Sequence, residues 1–186
     1  MENRTLSVIA SFLAIVFVVA AYFVKKKSLY LLSELLCIVF LTVSYFFNVQ
    51  YYAMIGLTIG FFRTITFFIY EKKDKTAPMI WSFVFFALTV VSYFVINHDI
   101  LKKTQALDIL CMAALVLYAF IFRIRDLKTV CFIMLIPTCL SILYNVLTNA
   151  ALFVTLTYVF ELCADVVAIF RYFFNHGKFG EGSDLK

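Results

Sequence analysis

The chain has 186 residues, 65% of them hydrophobic and 15% charged, with a net charge of +5 and a mean hydropathy of +1.00. A soluble domain is about half apolar, so a water-soluble core is excluded, and so little chain is left over that a soluble catalytic domain is excluded with it. A nucleic-acid partner is not expected either, because the basic residues sit at the ends of apolar stretches, where they set membrane orientation.

A membrane-spanning helix needs about 20 mostly apolar residues. In chain order the stretches that qualify are Ser7–Val24, Leu29–Phe47, Tyr51–Tyr70, Pro78–Ile96, Ala106–Phe122, Val130–Leu147 and Ala150–Phe170. The only prolines are Pro78 and Pro137, and the alternation of a membrane barrel is absent. Helices then satisfy the backbone in lipid, and Pro78 suits the first turn of its helix. The first stretch is expected to stay as a span rather than be cleaved as a signal peptide. Arg4 makes a poor basic leader, and no small-residue cleavage site precedes Lys25. Cys37, Cys111, Cys131, Cys139 and Cys163 all fall within spans without CxxC spacing, which predicts buried free thiols. His98 and His176 lie outside the spans without metal-ligand spacing, and no cofactor is expected.

The loop charges orient the chain. Lys25, Lys26 and Lys27 fill the first loop, Lys72, Lys73 and Lys75 the third, and Arg123, Arg125 and Lys128 the fifth. Arg171, Lys178 and Lys186 follow the last span, while Asn48–Gln50 and Thr148–Asn149 carry no Lys or Arg. Seven spans with the N-terminus outside put twelve basic residues inside and leave only Arg4, Lys102 and Lys103 outside. Removing the span Pro78–Ile96 would leave eight against seven and erase the positive-inside bias. The expectation is therefore an all-α integral membrane protein of seven transmembrane helices with a cytoplasmic C-terminus. Asn3-Arg4-Thr5 is a glycosylation triplet too close to the membrane to use.

The sequence also repeats. Ala21–Leu29 aligns with Ala119–Leu127 at an offset of 98, and Tyr45 with Tyr144 at 99. Each copy is a span end, a short basic loop and the start of the next span. The expected organisation of the single membrane domain, residues 1–186, is two parallel three-helix repeats. The first unit is 7–70 and the second 106–170, joined by the linker helix 78–96 and followed by a tail, 171–186. Parallel repeats have their axis along the membrane normal.

Charged residues at membrane depth are costly and usually face a bundle interior with a partner. Glu34, Arg63, Glu161 and Asp165 stand out. Arg63 is seven residues from the end of its span at Tyr70, roughly 10 Å deep at the helical rise. Asp165 is at similar depth and Glu161 one turn deeper. Arg63 is expected to pair with Asp165 or Glu161 across the repeat axis, and Glu34 to form a salt bridge to Arg63 or to a loop lysine. Thr157, Glu161 and Asp165 form a stripe at i, i+4 and i+8. It suits proton coupling, recognition of a cationic substrate, or neutralisation of one carboxylate by Arg63. Asn145, near the outer end of its helix, is a gate or an interhelical hydrogen bond. Gly56 and Gly60 form a GxxxG step on the face of Arg63 and Thr64, which reads first as close packing and second as a homodimer contact.

Arg63-Thr64, Tyr144-Asn145, Glu161 and Ile169-Phe170-Arg171 carry a resemblance over nearly the whole length. The chain resembles the YgjV family of bacterial inner-membrane proteins, which implies a multi-pass protein of the bacterial inner membrane. More distantly, the 3+1+3 plan looks like the SWEET sugar transporters and the PnuC transporters. Members of that wider group have a proline hinge in the first helix of each unit, and this chain has none in Ser7–Val24 or Ala106–Phe122. The functional expectation is a transporter of a small polar or zwitterionic solute, with Arg63, Glu161, Asp165, Asn145 and Thr157 lining its site between the units. The competing expectation is a non-transporting membrane interaction or scaffold protein that uses the same charges for packing. An enzyme is not expected, since neither a His–acid pair nor a Ser–Lys pair is present at membrane depth.

Overall fold

The computed structural model describes residues 2–24, 26–48, 50–96, 103–150 and 152–174. Seven helices follow in order: α1 (Glu2–Phe23), α2 (Lys27–Phe47), α3 (Tyr51–Lys72), α4 (Met79–Ile96), α5 (Lys103–Ile121), α6 (Leu127–Leu147) and α7 (Leu152–Phe174). Each contains one of the stretches read from hydropathy, with ends shifted by a few residues. Five of them, α2, α3, α4, α6 and α7, are long and apolar enough to cross a membrane, while α1 and α5 carry shorter apolar stretches, Thr5–Ala21 and Leu107–Ile121. The molecule is an all-helical, multi-pass membrane protein. The side chains of Arg4, Lys103 and Arg171, and residues Lys25, His98, Asp99, Lys102, His176, Lys178 and Lys186, lie outside what is described, as do the Asn3 and Arg4 side chains of the glycosylation triplet.

Six helices form a closed ring in the order α1, α2, α3, α5, α6, α7, and α4 packs outside it across the seam between α3 and α5. Helix α4 buries one stripe only, Ser82, Phe85, Thr89 and Tyr93, and most of the rest of its surface is apolar and exposed, as a lipid face requires. Pro78 stands immediately before the helix rather than within its first turn, and its carbonyl accepts the Trp81 amide at 3.2 Å.

Burial follows a repeat. Tyr30, Leu31, Glu34, Cys37, Ile38, Leu41, Ser44 and Tyr45 are buried on α2. Val130, Cys131, Met134, Pro137, Thr138, Ser141, Tyr144 and Asn145, each 100 residues on, are buried on α6. On α3 the buried Ala53, Gly56, Leu57, Gly60, Thr64 and Phe67 have buried counterparts on α7 at 101: Val154, Thr157, Tyr158, Glu161, Asp165 and Ala168. The offset of 98 read from the sequence holds only at the ends of α1 and α5, Phe23 and Ile121. The connection after α5 is two residues longer than that after α1, which moves the register to 100. Tyr45 is therefore matched by Asn145 and not by Tyr144.

One end of the ring carries basic loops and the other neutral hairpins. At the basic end Lys27, predicted as a loop residue, is the first residue of α2 and is buried against Glu71 of α3, Nζ to Oε2 3.1 Å. Arg123 Nε donates to the carbonyl of Ala77 at 3.1 Å, fastening the α3–α4 connection to the end of α5. At the neutral end Ser44 Oγ meets Ser7 Oγ at 2.9 Å and Ser11 Oγ at 2.7 Å, while Asn48 Nδ2 donates to Ser7 Oγ at 2.9 Å. These hydroxyls join α1 to α2 where lipid tails supply no hydrophobic force between helices. The cysteines are free, but only Cys37 and Cys131 are fully buried, and Cys139 and Cys163 lie on the outer faces of their helices, which corrects the expectation of five buried thiols.

Candidate functional site

The interior is two apolar clusters with a polar layer between them. One cluster, toward the neutral end, gathers Ile38, Leu41, Tyr45, Leu57 and Tyr158. The other, toward the basic end, gathers Tyr30, Phe67, Phe122 and Met134. Glu34 falls between them on α2, Arg63 on α3, Thr138 on α6 and Glu161 on α7. All four are at most 6% exposed. A cavity of about 40 Å³ opens here, lined by Glu34, Arg63, Tyr118 and Glu161 together with Leu57, Leu115 and Tyr158 among others. By the ~10–15 Å³ that one water requires, it holds about three.

The guanidinium of Arg63 bridges the α3–α5 seam. Nη1 donates to the Leu115 carbonyl at 2.9 Å. Cζ stands 5.4 Å from the Tyr118 ring centre and 5.1 Å from that of Phe122, within the range of cation–π attraction. Small residues make this possible. A side chain at Gly56 would meet Leu115, and a Cβ at Gly60 would lie 3.3 Å from Arg63 Nη2. The GxxxG step is thus spent inside the ring, on α5 and on Arg63. This is the close-packing reading, and it leaves both glycines unavailable for a dimer face.

The expected ion pairs of Arg63 are not formed. Among the described residues the salt bridge within 4 Å is Lys27–Glu71, and the guanidinium instead takes the Leu115 carbonyl and two aromatic faces. The reason is position along the seam: Gly60 and the Leu115 carbonyl lie directly beside Arg63, so α5 captures its guanidinium. Glu34 remains the carboxylate whose charge Arg63 feels most directly among the acids, without contact. Arg63 Nε and Glu34 Oε1 are both buried and have no hydrogen-bond partner.

Glu161 is held by two hydroxyls. Tyr118 Oη donates to its Oε1 at 3.4 Å and Thr138 Oγ1 at 3.3 Å. Asp165 is fully buried one turn away, in the same electrostatic neighbourhood, but does not line the cavity. Neither does Thr157, whose hydroxyl bonds the Phe153 carbonyl of its own helix at 3.0 Å. The stripe of Thr157, Glu161 and Asp165 does face inward, and only its middle member reaches the cavity. Asn145 is fully buried and accepts from Tyr45 Oη at 2.9 Å, joining α2 to α6. It too lies off the cavity wall, and its Nδ2 is without a partner. Of the five residues expected to line a substrate site, Arg63 and Glu161 line this cavity, and Glu34, expected only as a structural partner, joins them.

Sequence reasoning passed over three residues. Tyr118 and Thr138 hold Glu161, and nothing in an apolar background marks a single Tyr or Thr. Asp108 accepts from Tyr144 Oη at 3.0 Å; its position just inside the predicted span Ala106–Phe122 was a visible signal. No family model, curated protein or solved structure matches the chain.

Proposed function

We propose that the protein is a permease for a small polar solute, working from a site at the centre of the helix ring. The observation that carries this is the cavity: Glu34, Arg63 and Glu161 meet around it in mid-membrane, and two of them keep hydrogen-bonding atoms unused. Packing alone has no use for free donors and acceptors at this depth, where each is costly. In this reading all seven helices span, with the N-terminus outside and the C-terminus in the cytoplasm, as the twelve-to-three division of basic residues supports. The two units are parallel repeats around α4, which the burial registers of 100 and 101 support. In this reading the protein resides in a bacterial inner membrane, which is what the resemblance to the YgjV family implies.

A thermal-shift screen of the detergent-purified protein against amino acids, nucleosides, sugars, polyamines and organic acids tests the site. A ligand of the folded state raises stability by mass action, and the class that does so is expected to move into proteoliposomes carrying wild-type protein and not Glu161→Gln. Full transport by Glu161→Gln would dismiss the site. Fusing a periplasm-active reporter to each loop checks the orientation.

The second reading, a scaffold, is favoured by one fact: Arg63 is already bound to Leu115 and two rings, as a structural staple would be. It expects Glu34→Gln and Glu161→Gln to lower stability with no ligand of any class altering it, and a partner protein to copurify.

A further inference from the structure

The cavity wall is short of positive charge. Glu34 and Glu161 both line it, against the single guanidinium of Arg63. That guanidinium is turned toward α5, where the Leu115 carbonyl and the Tyr118 and Phe122 faces hold it. It neutralises part of the layer from one side only. Net negative charge in a mid-membrane cavity with room for only about three waters is unfavourable, and either a bound proton or an occupant that brings positive charge relieves it.

The unused atoms specify more. Glu34, 6% exposed, offers Oε1 with no donor. Glu161 lines the same wall with its Oε1 bonded by two hydroxyls. Arg63, 3% exposed, offers an Nε–H with no acceptor. The tyrosine rings of Tyr45, Tyr144 and Tyr158 complete the wall, and aromatic faces attract organic cations. The room is about 40 Å³, enough for a molecule of a few heavy atoms.

We propose that this cavity binds a small alkylammonium cation that also carries a hydrogen-bond acceptor, the chemistry of a short amino alcohol. Its ammonium group lies between Glu34 and Glu161, and its oxygen accepts from Arg63 Nε. This deepens the permease reading and rests on it for the site. An anion is rejected by the two carboxylates, and a zwitterion leaves the wall's negative charge uncancelled.

The test is a thermal-shift titration of the full-length protein in detergent with four probes of similar size: ethanolamine, ethylammonium chloride, ethylene glycol and glycine. Ethanolamine is expected to stabilise most, ethylammonium at about tenfold higher concentration, and the other two not at all. Glu34→Gln and Glu161→Gln each abolish the response. A second measurement needs no variant: a hydrophobic carbodiimide labels membrane-buried carboxyl groups, and mass spectrometry reads its adducts. Ethanolamine is expected to protect Glu34 and Glu161 of wild-type protein, and ethylene glycol to protect neither. Unchanged labelling in saturating ethanolamine overturns the proposal, as does a thermal response that survives in both variants. If glycine, a sugar or a nucleoside stabilises the protein and both amines fail, the cation proposal falls and the permease reading stands. If no class of compound stabilises it, both fall.

Discussion

Helices α2 and α6 bury the same eight positions, 100 residues apart, yet no residue type is shared at any of them. Glu34 stands opposite Met134, Ile38 opposite Thr138, Leu41 opposite Ser141 and Tyr45 opposite Asn145. Helices α3 and α7 differ in the same way, with Gly56, Gly60 and Thr64 against Thr157, Glu161 and Asp165. The backbone register is repeated and the chemistry is not. The lesson is that apolar burial needs only size and spacing, so two units drift freely there, whereas a charge in lipid needs its own compensating neighbours. Those neighbours exist on one side only. Arg63 of α3 has room because Gly60 is small, and in α7 the matching place is taken by Glu161. The asymmetry extends to the helix ends. Asp126 caps α6 through the amides of Lys128 and Thr129, while Lys26, 100 residues earlier, caps α2 with no side-chain bond.

The harshest way to break the asymmetry is to remove its cation. Arg63→Met leaves Glu34 and Glu161 facing one cavity without compensation, and should cost about 3–5 kcal/mol in denaturant unfolding of the detergent-solubilised protein. Adding Glu34→Gln should restore part of that loss; no recovery would mean that Arg63 acts through Leu115 and the rings alone. Met134→Glu, a carboxylate at the α6 position equivalent to Glu34, is expected to be as damaging, since no guanidinium faces it.

Gly56 and Thr157 make a gentler pair. Gly56→Val drives a side chain into Leu115 and should cost about 1–3 kcal/mol by overpacking. Thr157→Val conserves volume and loses only a bond within its own helix, so its unfolding midpoint should move much less. Smaller again is Ser44→Ala, which unlinks Ser7 and Ser11 of α1 and should cost about 0.6–1.7 kcal/mol, the usual worth of an interhelical bond in a membrane.

The caps give a contrast of about the same size. Asp126→Ala should lose about 0.5–2 kcal/mol, the normal cost of an N-cap, and Lys26→Ala almost nothing. The Asp126 carboxyl is held below its ordinary value of 3.8, first by the Thr129 hydroxyl and then by the Thr129 and Lys128 amides. Its folded value is the lower one, so its contribution is fully present above pH 3.8. It fades as the pH falls through the folded value. Wild-type protein should therefore lose its advantage over Asp126→Ala only in strong acid.

Hydropathy alone located all seven helices, because a span must satisfy its own backbone within lipid and so needs a continuous apolar run of fixed length. The same logic singled out Glu34, Arg63, Glu161 and Asp165, since a charge is conspicuous where it is expensive. What the linear chain left open was direction around each helix and reach across the ring. Two extra residues after α5 moved the repeat from 98 to 100, a shift that loop similarity hides. Whether Arg63 met an acid or the Leu115 carbonyl was decided by Gly60 and the closeness of α5, and which of the stripe's carboxylates reached the cavity by its depth along α7. Burial in lipid is written in composition and spacing, but a contact between two helices belongs to the geometry of both, and that exists only once the ring has closed.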